Sequence, residues 1–170
     1  DWSSDVCSSD LLRESAGLTP PVPTGATLSS APAAAVPPRA ATGWHVLVAD
    51  DDPVNRLVIE GQLLELGHHP TCVDDGEAAW EAWQGGGFTL LLTDGLMPRL
   101  DGYGLAERLR AEERRRGLSP MPIFLVTGDG SEVARQRAHD VGITALLLKP
   151  FDLPALRSAL AAVQATHPQV

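Results

Sequence analysis

Between residues 44 and 166, five short apolar runs alternate with five segments of helical periodicity, and this alternation limits the possible folds more than any other feature. The runs are HVLVA, PTCV, FTLLLT, MPIFLVT and TALLL. FTLLLT is apolar on both faces, which is typical of a strand buried inside a parallel sheet. Strands that alternate with helices predict an α/β domain in which right-handed crossovers connect the strands of a parallel sheet.

The segments between the runs carry helix signals. The first begins at Pro53 and stops near Gly67, with four residues at helical spacing: Val54, Leu57, Gly61 and Leu64. Later segments carry apolar residues at the same spacing: Ala79, Trp83, Leu105, Leu109, Leu153, Leu156, Leu160 and Val163. The segment from 132 to 140 is the most polar and predicts the least firmly held helix. These units predict a flavodoxin-like (βα)5 doubly wound parallel sheet in a single domain, with strand order 2-1-3-4-5.

The first 43 residues have a different composition. From Thr19 to Thr42 the chain is almost entirely Pro, Ala, Ser, Thr, Gly and Val, and such a stretch buries too little apolar surface to offset the chain entropy of folding. We predict a disordered Pro/Ala-rich linker over 1–43, a folded domain over 44–166 and a short tail over 167–170. The opening DWSSDVCSSDL resembles a translated sequencing adapter and is assigned no function. A start at Asp1 rather than Met is expected of a fragment.

Charge and composition disfavour several function classes. The formal net charge is −9, and the acidic excess continues from residue 44 onward, which disfavours nucleic-acid binding through phosphate contacts. No apolar run approaches the roughly 20 residues needed to cross a bilayer, so we expect no membrane contact by this fragment. The histidines lack ligand spacing and are predicted to be surface or strand-edge residues. Cys7 and Cys72 match no metal or redox spacing, and a cytoplasmic setting is expected.

Polar groups follow four of the five predicted strands. Asp50, Asp51 and Asp52 come after HVLVA, Asp94 after FTLLLT, Thr127 after IFLV, and the only lysine, Lys149, after TALLL. Because the carboxyl ends of parallel strands form one edge of a sheet, these side chains are expected to converge there. Asp50, Asp51 and Asp94 would meet at the switch point between strands one and three.

Three carboxylates gathered at one point need a compensating cation. Unit charges about 4 Å apart repel by about 1 to 4 kcal/mol, depending on their exposure to water, so the cluster requires a metal ion or raised pKa values. Magnesium suits carboxylates, a backbone carbonyl and retained waters. The Lys149 ammonium is able to pair with Asp94 and later with a phosphoryl oxygen, to which the Thr127 hydroxyl is able to donate. The pattern predicts a magnesium-assisted phosphoryl site with an aspartate acceptor.

Four motifs, VLVADDDPVNR, LLLTDGLMPRLDGY, LVTG and LLLKPF, resemble in order and spacing the receiver domain of two-component response regulators, most of all the receivers of hybrid sensor histidine kinases. The resemblance implies that Asp94 accepts a phosphoryl group from phosphohistidine. It implies that Asp51, Asp94 and the Leu96 carbonyl ligate Mg²⁺ directly, while Asp50 helps through water. Thr127 and Lys149 would be the catalytic hydroxyl and ammonium.

The same resemblance implies a signalling switch rather than a metabolic enzyme. Such a domain catalyses its own aspartyl phosphorylation and dephosphorylation and changes conformation as a result. Its expected partners are a histidine kinase or a phosphotransfer domain. The chain is expected to be the C-terminal part of a hybrid sensor histidine kinase, whose ATP-binding part and inner-membrane anchor would lie outside this sequence.

Three positions depart from the family pattern or qualify it. Leu146 stands where the family has an aromatic residue on strand five, so ring rotation cannot report the signal here, whereas the phosphorylation chemistry should survive. Leu96 and Asp129 border the expected path of hydrolytic water. A leucine cannot orient water and an aspartate is able to, so the sequence leaves the phosphate lifetime open.

Two other functions are compatible with the sequence. Asp50 to Val54 matches the D-x-D-x-V opening of haloacid-dehalogenase-like phosphatases, with Asp50 as the nucleophile. That hypothesis needs an acidic pair after the lysine, where only Asp152 follows, and it leaves Asp94 without a role. The second is a phosphate-independent pseudo-receiver that keeps the fold as an interaction module. Taken singly, each strand-end group also has a structural explanation, such as helix capping by the acidic triplet.

Overall fold

A computed structural model describes residues 43–166, so the predicted linker, apart from Gly43, and the tail over 167–170 lie outside the described residues. The strands are β1 His45–Ala49, β2 His69–Val73, β3 Leu90–Asp94, β4 Ile123–Thr127 and β5 Ala145–Leu148. The helices are α1 Pro53–Glu65, α2 Gly76–Gln84, α3 Gly102–Arg116, α4 Glu132–Asp140 and α5 Leu153–Thr166. The predicted alternation is confirmed, although β3 and β4 each begin two residues later than their apolar runs.

All five strands are parallel and lie in the order β2-β1-β3-β4-β5, which confirms the predicted doubly wound sheet. β1 and β3 are therefore neighbours, and Ala49 pairs in register with Thr93. The next residue of each chain segment, Asp50 or Asp94, consequently lies just beyond the β1–β3 pairing, at the same edge of the sheet. Within residues 43–166, no helix combines the length and the apolar character needed to cross a bilayer.

Apolar side chains cover both faces of the sheet. On the face of α2, α3 and α4 the buried cluster includes Leu47, Ala79, Trp83, Leu91, Leu105, Leu109, Leu125 and Ala138. On the face of α1 and α5 it includes Val48, Ile59, Leu63, Leu92, Phe124, Leu156, Leu160 and Val163. Every residue of β3 is buried, because successive side chains of a strand point to opposite faces and both faces are covered. This confirms the interpretation of FTLLLT as a central strand.

The apolar residues that marked α1 as a helix do not form its buried face. Val54, Leu57 and Leu64 are 64%, 69% and 56% exposed, whereas Ile59 and Leu63 are buried against the sheet. The first turns of α1 are apolar on more than one side, so helical spacing identifies the helix without identifying the side that faces the sheet. The exposed side therefore presents apolar surface to solvent.

His68 contradicts the prediction that the histidines lie at the surface or at a strand edge. It is 8% exposed, and its Nδ1 accepts a 3.1 Å hydrogen bond from the backbone N–H of Trp44. An accepting Nδ1 requires the imidazole to be neutral, with its single proton on Nε2. Burial, followed by the charge of neighbouring His69, lowers the pKa of His68 below its usual value.

We expect the domain to lose stability as the pH falls through the usual histidine pKa of about 6.5. The unfolded chain protonates His68 near its usual pKa of about 6.5, whereas the folded domain protonates it only at lower pH. The stabilising contribution is therefore complete above the unfolded pKa and declines as the pH falls toward the lowered folded pKa. His68→Asn should flatten this part of the pH dependence of urea midpoints, whereas replacing the exposed His139 with Gln should not. An unchanged slope in His68→Asn would contradict the assignment.

Candidate functional site

Three carboxylates meet at the carboxyl edge of the sheet. Asp50 and Asp51 follow β1 and Asp94 ends β3, and one oxygen from each lies within 4.8 Å of the other two. Asp50 is fully buried, Asp94 is 9% exposed and Asp51 is exposed. The cluster consequently has a protein-covered side and a side that faces solvent, and its oxygen donors suit a hard divalent cation.

Lys149 follows β5 and reaches across to this cluster. Its Nζ lies 2.6 Å from Oδ2 of Asp94 and 3.2 Å from Oδ2 of Asp50. Partial burial alone would lower the pKa of Lys149, but hydrogen bonds to Asp94 and Asp50, together with their charges, raise it above its usual value. Lys149 is therefore an ammonium at neutral pH, and one positive charge stands against three carboxylates.

The buried Asp50 is fixed by several donors. Its Oδ1 accepts hydrogen bonds from the backbone N–H of Asp52 at 2.9 Å and from Nδ2 of Asn55 at 3.3 Å. Arg56 donates to the Asp50 backbone carbonyl at 2.6 Å. The sequence motif VLVADDDPVNR contained Asn55 and Arg56, but the motif alone did not show that the first turn of α1 folds back onto Asp50.

Asp52 has a different role from the other members of the acidic triplet. It is the N-cap of α1, where its carboxylate accepts from the backbone N–H groups of Val54 at 2.7 Å and Asn55 at 3.4 Å. This satisfies two amide donors that have no partner within the helix. The structural explanation thus applies to Asp52, while Asp50 and Asp51 belong to the cluster.

Thr127 ends β4 beside the residues that follow Asp94. Its hydroxyl oxygen accepts a 3.1 Å hydrogen bond from the backbone N–H of Asp129, so the hydroxyl proton is left to be donated elsewhere. Its carbonyl accepts from the backbone N–H of Lys149 at 2.8 Å, and the adjacent Val126 carbonyl accepts from Gly95 at 2.8 Å. These bonds bring the ends of β3, β4 and β5 together.

The loop between β3 and α3 is fitted closely around Asp94. The backbone N–H of Leu96 donates to Oδ1 of Asp94 at 3.2 Å, and the Leu96 side chain is 79% exposed. At the other end of the loop, a Cβ on Gly102 would lie 2.2 Å from the Asp94 carbonyl oxygen. Glycine at 102 therefore allows the start of α3 to contact the backbone of Asp94 directly.

Comparison with known proteins agrees with this arrangement. Residues 46–161 match the model of the response regulator receiver domain. The chain is 34% identical over 162 residues to the virulence sensor protein BvgS of Bordetella parapertussis, an alignment that covers 93% of this chain and 12% of BvgS. It is also 34% identical over 116 residues to the sensor histidine kinase RcsC of Salmonella typhi, covering 68% of this chain and 12% of RcsC. The chain thus spans a small part of the length of these relatives.

Solved structures share the fold. The chemotaxis response regulator CheY4 of Vibrio cholerae superimposes with a TM-score of 0.66 at 27% identity, covering 72% of this chain and 99% of that one. The receiver domain of a sensor histidine kinase from Pseudomonas aeruginosa, solved with magnesium in its active site cleft, gives a TM-score of 0.63 at 32% identity, covering 71% and 96%. With its sheet order and its match to the family model, this chain belongs to the response regulator receiver domain family.

Proposed function

We propose that this receiver takes a phosphoryl group onto Asp94 from a phosphohistidine and that its own residues catalyse the transfer. The observation that carries the proposal is the 2.6 Å contact between Lys149 and Asp94 beside two further carboxylates at a solvent-facing sheet edge. Membership of the receiver family supports phosphohistidine as the donor, and the geometry of the site supports Asp94 as the acceptor. The domain acts as a switch, because a covalent phosphoryl group changes the charge and contacts of this edge.

Accessibility supports Asp94 rather than Asp50 as the nucleophile. The Asp94 side chain is 12% exposed, whereas the Asp50 side chain is 1% exposed. The nearly complete burial of the Asp50 side chain leaves an incoming phosphorus atom no open approach to its oxygens, whereas part of the Asp94 side chain remains exposed. This disfavours the phosphatase alternative, in which Asp50 would attack.

The donor set fits magnesium. Three carboxylates against one ammonium leave a formal charge of −2 at the cluster, and magnesium prefers oxygen ligands. We assign Asp51, Asp94 and the Leu96 carbonyl as direct ligands and Asp50 as a ligand through water. When bound, the ion would offset the repulsion between carboxylates and phosphoryl oxygens.

The remaining steps belong to the protein's own side chains. The Asp94 carboxylate attacks phosphorus, so an O–P bond forms as the P–N bond of phosphohistidine breaks. The Lys149 ammonium shifts from Asp94 to a phosphoryl oxygen, since formation of the acyl phosphate removes the carboxylate charge with which it was paired. The Thr127 hydroxyl donates a hydrogen bond to a second phosphoryl oxygen, which draws β4 toward the site.

A small acyl phosphate tests the proposal without a partner protein. The purified chain should gain one phosphoryl mass with magnesium present and none with excess chelator, and Asp51→Asn should require a higher magnesium concentration for the same labelling. Intact mass spectrometry measures the gain. Equal labelling with and without chelator would contradict the metal assignment, and no labelling under any condition would indicate the pseudo-receiver alternative.

The exposed side of α1 supports a docking role in the same reaction. Val54, Leu57 and Val58 are more than half exposed, and Val58 lines a cavity shared with Lys149 and Phe151. Exposed apolar patches next to a site mark interaction surfaces. We assign this α1 patch, Val54, Leu57 and Val58, to the domain that carries the phosphohistidine, because such a donor must approach the edge where Asp94 lies.

Substitutions in the α1 patch should slow transfer from protein donors and leave small donors unaffected. The double variant Val54→Ser with Leu57→Ser should transfer from a phosphorylated histidine phosphotransfer domain about tenfold more slowly, because truncating buried anchors weakens docking. Labelling by acyl phosphate should stay at the wild-type rate. Leu64→Ser is the matched control, since Leu64 is equally exposed and lies about 10 Å further along the same helix. Equal slowing with both donors would contradict the docking role.

We place the chain in the cytoplasm as the C-terminal receiver of a hybrid sensor histidine kinase. Its alignment with two sensor proteins at 34% identity supports this placement. In that setting, a histidine in the kinase part or in a separate phosphotransfer domain supplies the phosphoryl group.

A further inference from the structure

An ion pair links the loop that contains Leu96 to the residue that caps α2. Arg99, in the loop of residues 95–101, has φ = 66° and is the only non-glycine residue at positive φ in the described part of the chain. Its guanidinium pairs with the carboxylate of Asp75, the N-cap of α2. The Asp75 side chain is 4% exposed, whereas that of Arg99 is 66% exposed. The partner of the exposed arginine is therefore a buried charge on another element.

A second contact joins the same two elements. A Cβ on Gly76, the first residue of α2, would lie 2.2 Å from the carbonyl oxygen of Leu100, so the backbones of α2 and the loop meet directly. The other oxygen of Asp75 accepts a 2.7 Å hydrogen bond from the backbone N–H of Ala78. Asp75 is thus held rigidly by α2, and through it the far end of the loop is attached to a helix of the core.

We infer that Asp75 and Arg99 are positioning residues for the loop whose Leu96 carbonyl binds magnesium. This inference rests on the proposed function, in which that carbonyl is a ligand. The loop is fixed near the site by the bond from Leu96 to Asp94 and at its far end by the ion pair. A left-handed backbone is unfavourable for a non-glycine residue, so Arg99 keeps this conformation only while its contacts hold it.

If Arg99 acted only through its charge, removing that charge would not weaken magnesium binding. A guanidinium close to a divalent cation repels it, so neutralising Arg99 without moving the loop would tighten magnesium binding or leave it unchanged. Loss of positioning would instead weaken binding, because the carbonyl ligand would no longer be held in place. The direction of the change therefore separates the two explanations.

The experiment is calorimetric titration of the unphosphorylated chain with magnesium, with thermal unfolding as a check that each variant is folded. Arg99→Gln should weaken magnesium binding about tenfold, at the low end of effects from residues that orient metal ligands, and Arg99→Lys should recover part of the loss. Arg108→Gln is the matched control. Arg108 of α3 pairs at 2.9 Å with Glu77 of α2, and this ion pair includes no residue of the loop. Binding by Arg99→Gln that equals or exceeds the wild type would overturn the inference.

A double-mutant cycle adds a second criterion. If Asp75 and Arg99 act as a pair, Asp75→Asn combined with Arg99→Gln should weaken binding no more than the stronger single variant, whereas independent effects would multiply. Asn retains the ability to cap α2, so the helix start is preserved. If the wild type binds magnesium and the effects of the two substitutions multiply, the pairing is refuted and the proposed function is not. If the wild type binds no magnesium, the proposed function is refuted.

Discussion

Asp94→Asn should abolish phosphoryl uptake from both acyl phosphate and phosphohistidine donors. The amide that replaces the carboxylate lacks the anionic oxygen that attacks phosphorus, and no other group in the cluster is placed to substitute for it. The Asp50 side chain is only 1% exposed, and Asp51 has no described contact with Lys149. Intact mass spectrometry after incubation with magnesium and acyl phosphate should show one added phosphoryl group in the wild type and none in the variant.

Asp52→Asn is the matched control for this experiment. It replaces a carboxylate with an amide, as Asp94→Asn does, but at the N-cap of α1. Asparagine caps a helix about as well as aspartate. This variant should therefore be labelled at close to the wild-type rate. A phosphoryl group that persists in Asp94→Asn would refute the acceptor assignment. Steady hydrolysis of a phosphate ester, retained in Asp94→Asn and lost in Asp50→Asn, would favour the phosphatase alternative.

Lys149→Met should slow phosphorylation about 10²- to 10³-fold, which is the usual loss when a preorganised donor to a developing anion is removed. The same substitution should tighten magnesium binding, because it removes the positive charge that lies 2.6 Å from Asp94 and 3.2 Å from Asp50. The two effects have opposite signs and different causes. Labelling rates at saturating magnesium measure the first, and calorimetric titration measures the second.

Arginine at this position provides a comparison that retains the charge. Lys149→Arg keeps a cation near the carboxylates, but its planar, larger head group does not reproduce the point charge of an ammonium. We expect magnesium affinity close to that of the wild type and labelling that is still slow. If Lys149→Met were labelled at the wild-type rate, Lys149 would have only a structural role.

The sequence predicted the elements of this fold better than it predicted which way their side chains face. Strand order and the convergence at the carboxyl edge follow from five alternating units, and each strand end could be located from its apolar run. The buried face of α1 could not be located, because apolar residues occur on both sides of that helix and the sheet selects Ile59 and Leu63. The burial of His68 could not be predicted for a related reason. The side chain is hydrogen-bonded to the backbone of Trp44, which is distant in sequence.

The candidate site shows the same division. Strand-end position was enough to bring Asp50, Asp51, Asp94 and Lys149 together, because parallel topology dictates where strands end. It could not separate Asp52 from its neighbours, since capping depends on the dihedral angles of the turn. The ion pair of Asp75 with Arg99 had no sequence signal either, because it joins loops of different crossover units. Contacts made by loops require coordinates.

Leu146 limits how a change at the phosphorylation site could be transmitted to the rest of the domain. This residue is half-buried and packs against the cluster under α3 and α4, where the family pattern places an aromatic ring. A leucine has no large ring to swing between two orientations. A signal from Thr127 would instead pass through two hydrogen bonds: the Asp129 backbone N–H donates to the Thr127 hydroxyl, and the Ser131 backbone N–H at the start of α4 donates to the Asp129 carboxylate. Shifts of α4 are the expected form of the change.

Because Lys149 is the only lysine of this receiver, acylation of one side chain would be enough to inactivate it. Because every other basic side chain in the sequence apart from histidine is an arginine, an acetyl-transfer reagent has one side-chain amine to modify, and that amine is the one beside the acceptor. Acylation would erase its charge, and a single covalent event would disable the domain. Peptide mass spectrometry, which separates modification of Lys149 from that of the N-terminal amine, could therefore count the silenced molecules.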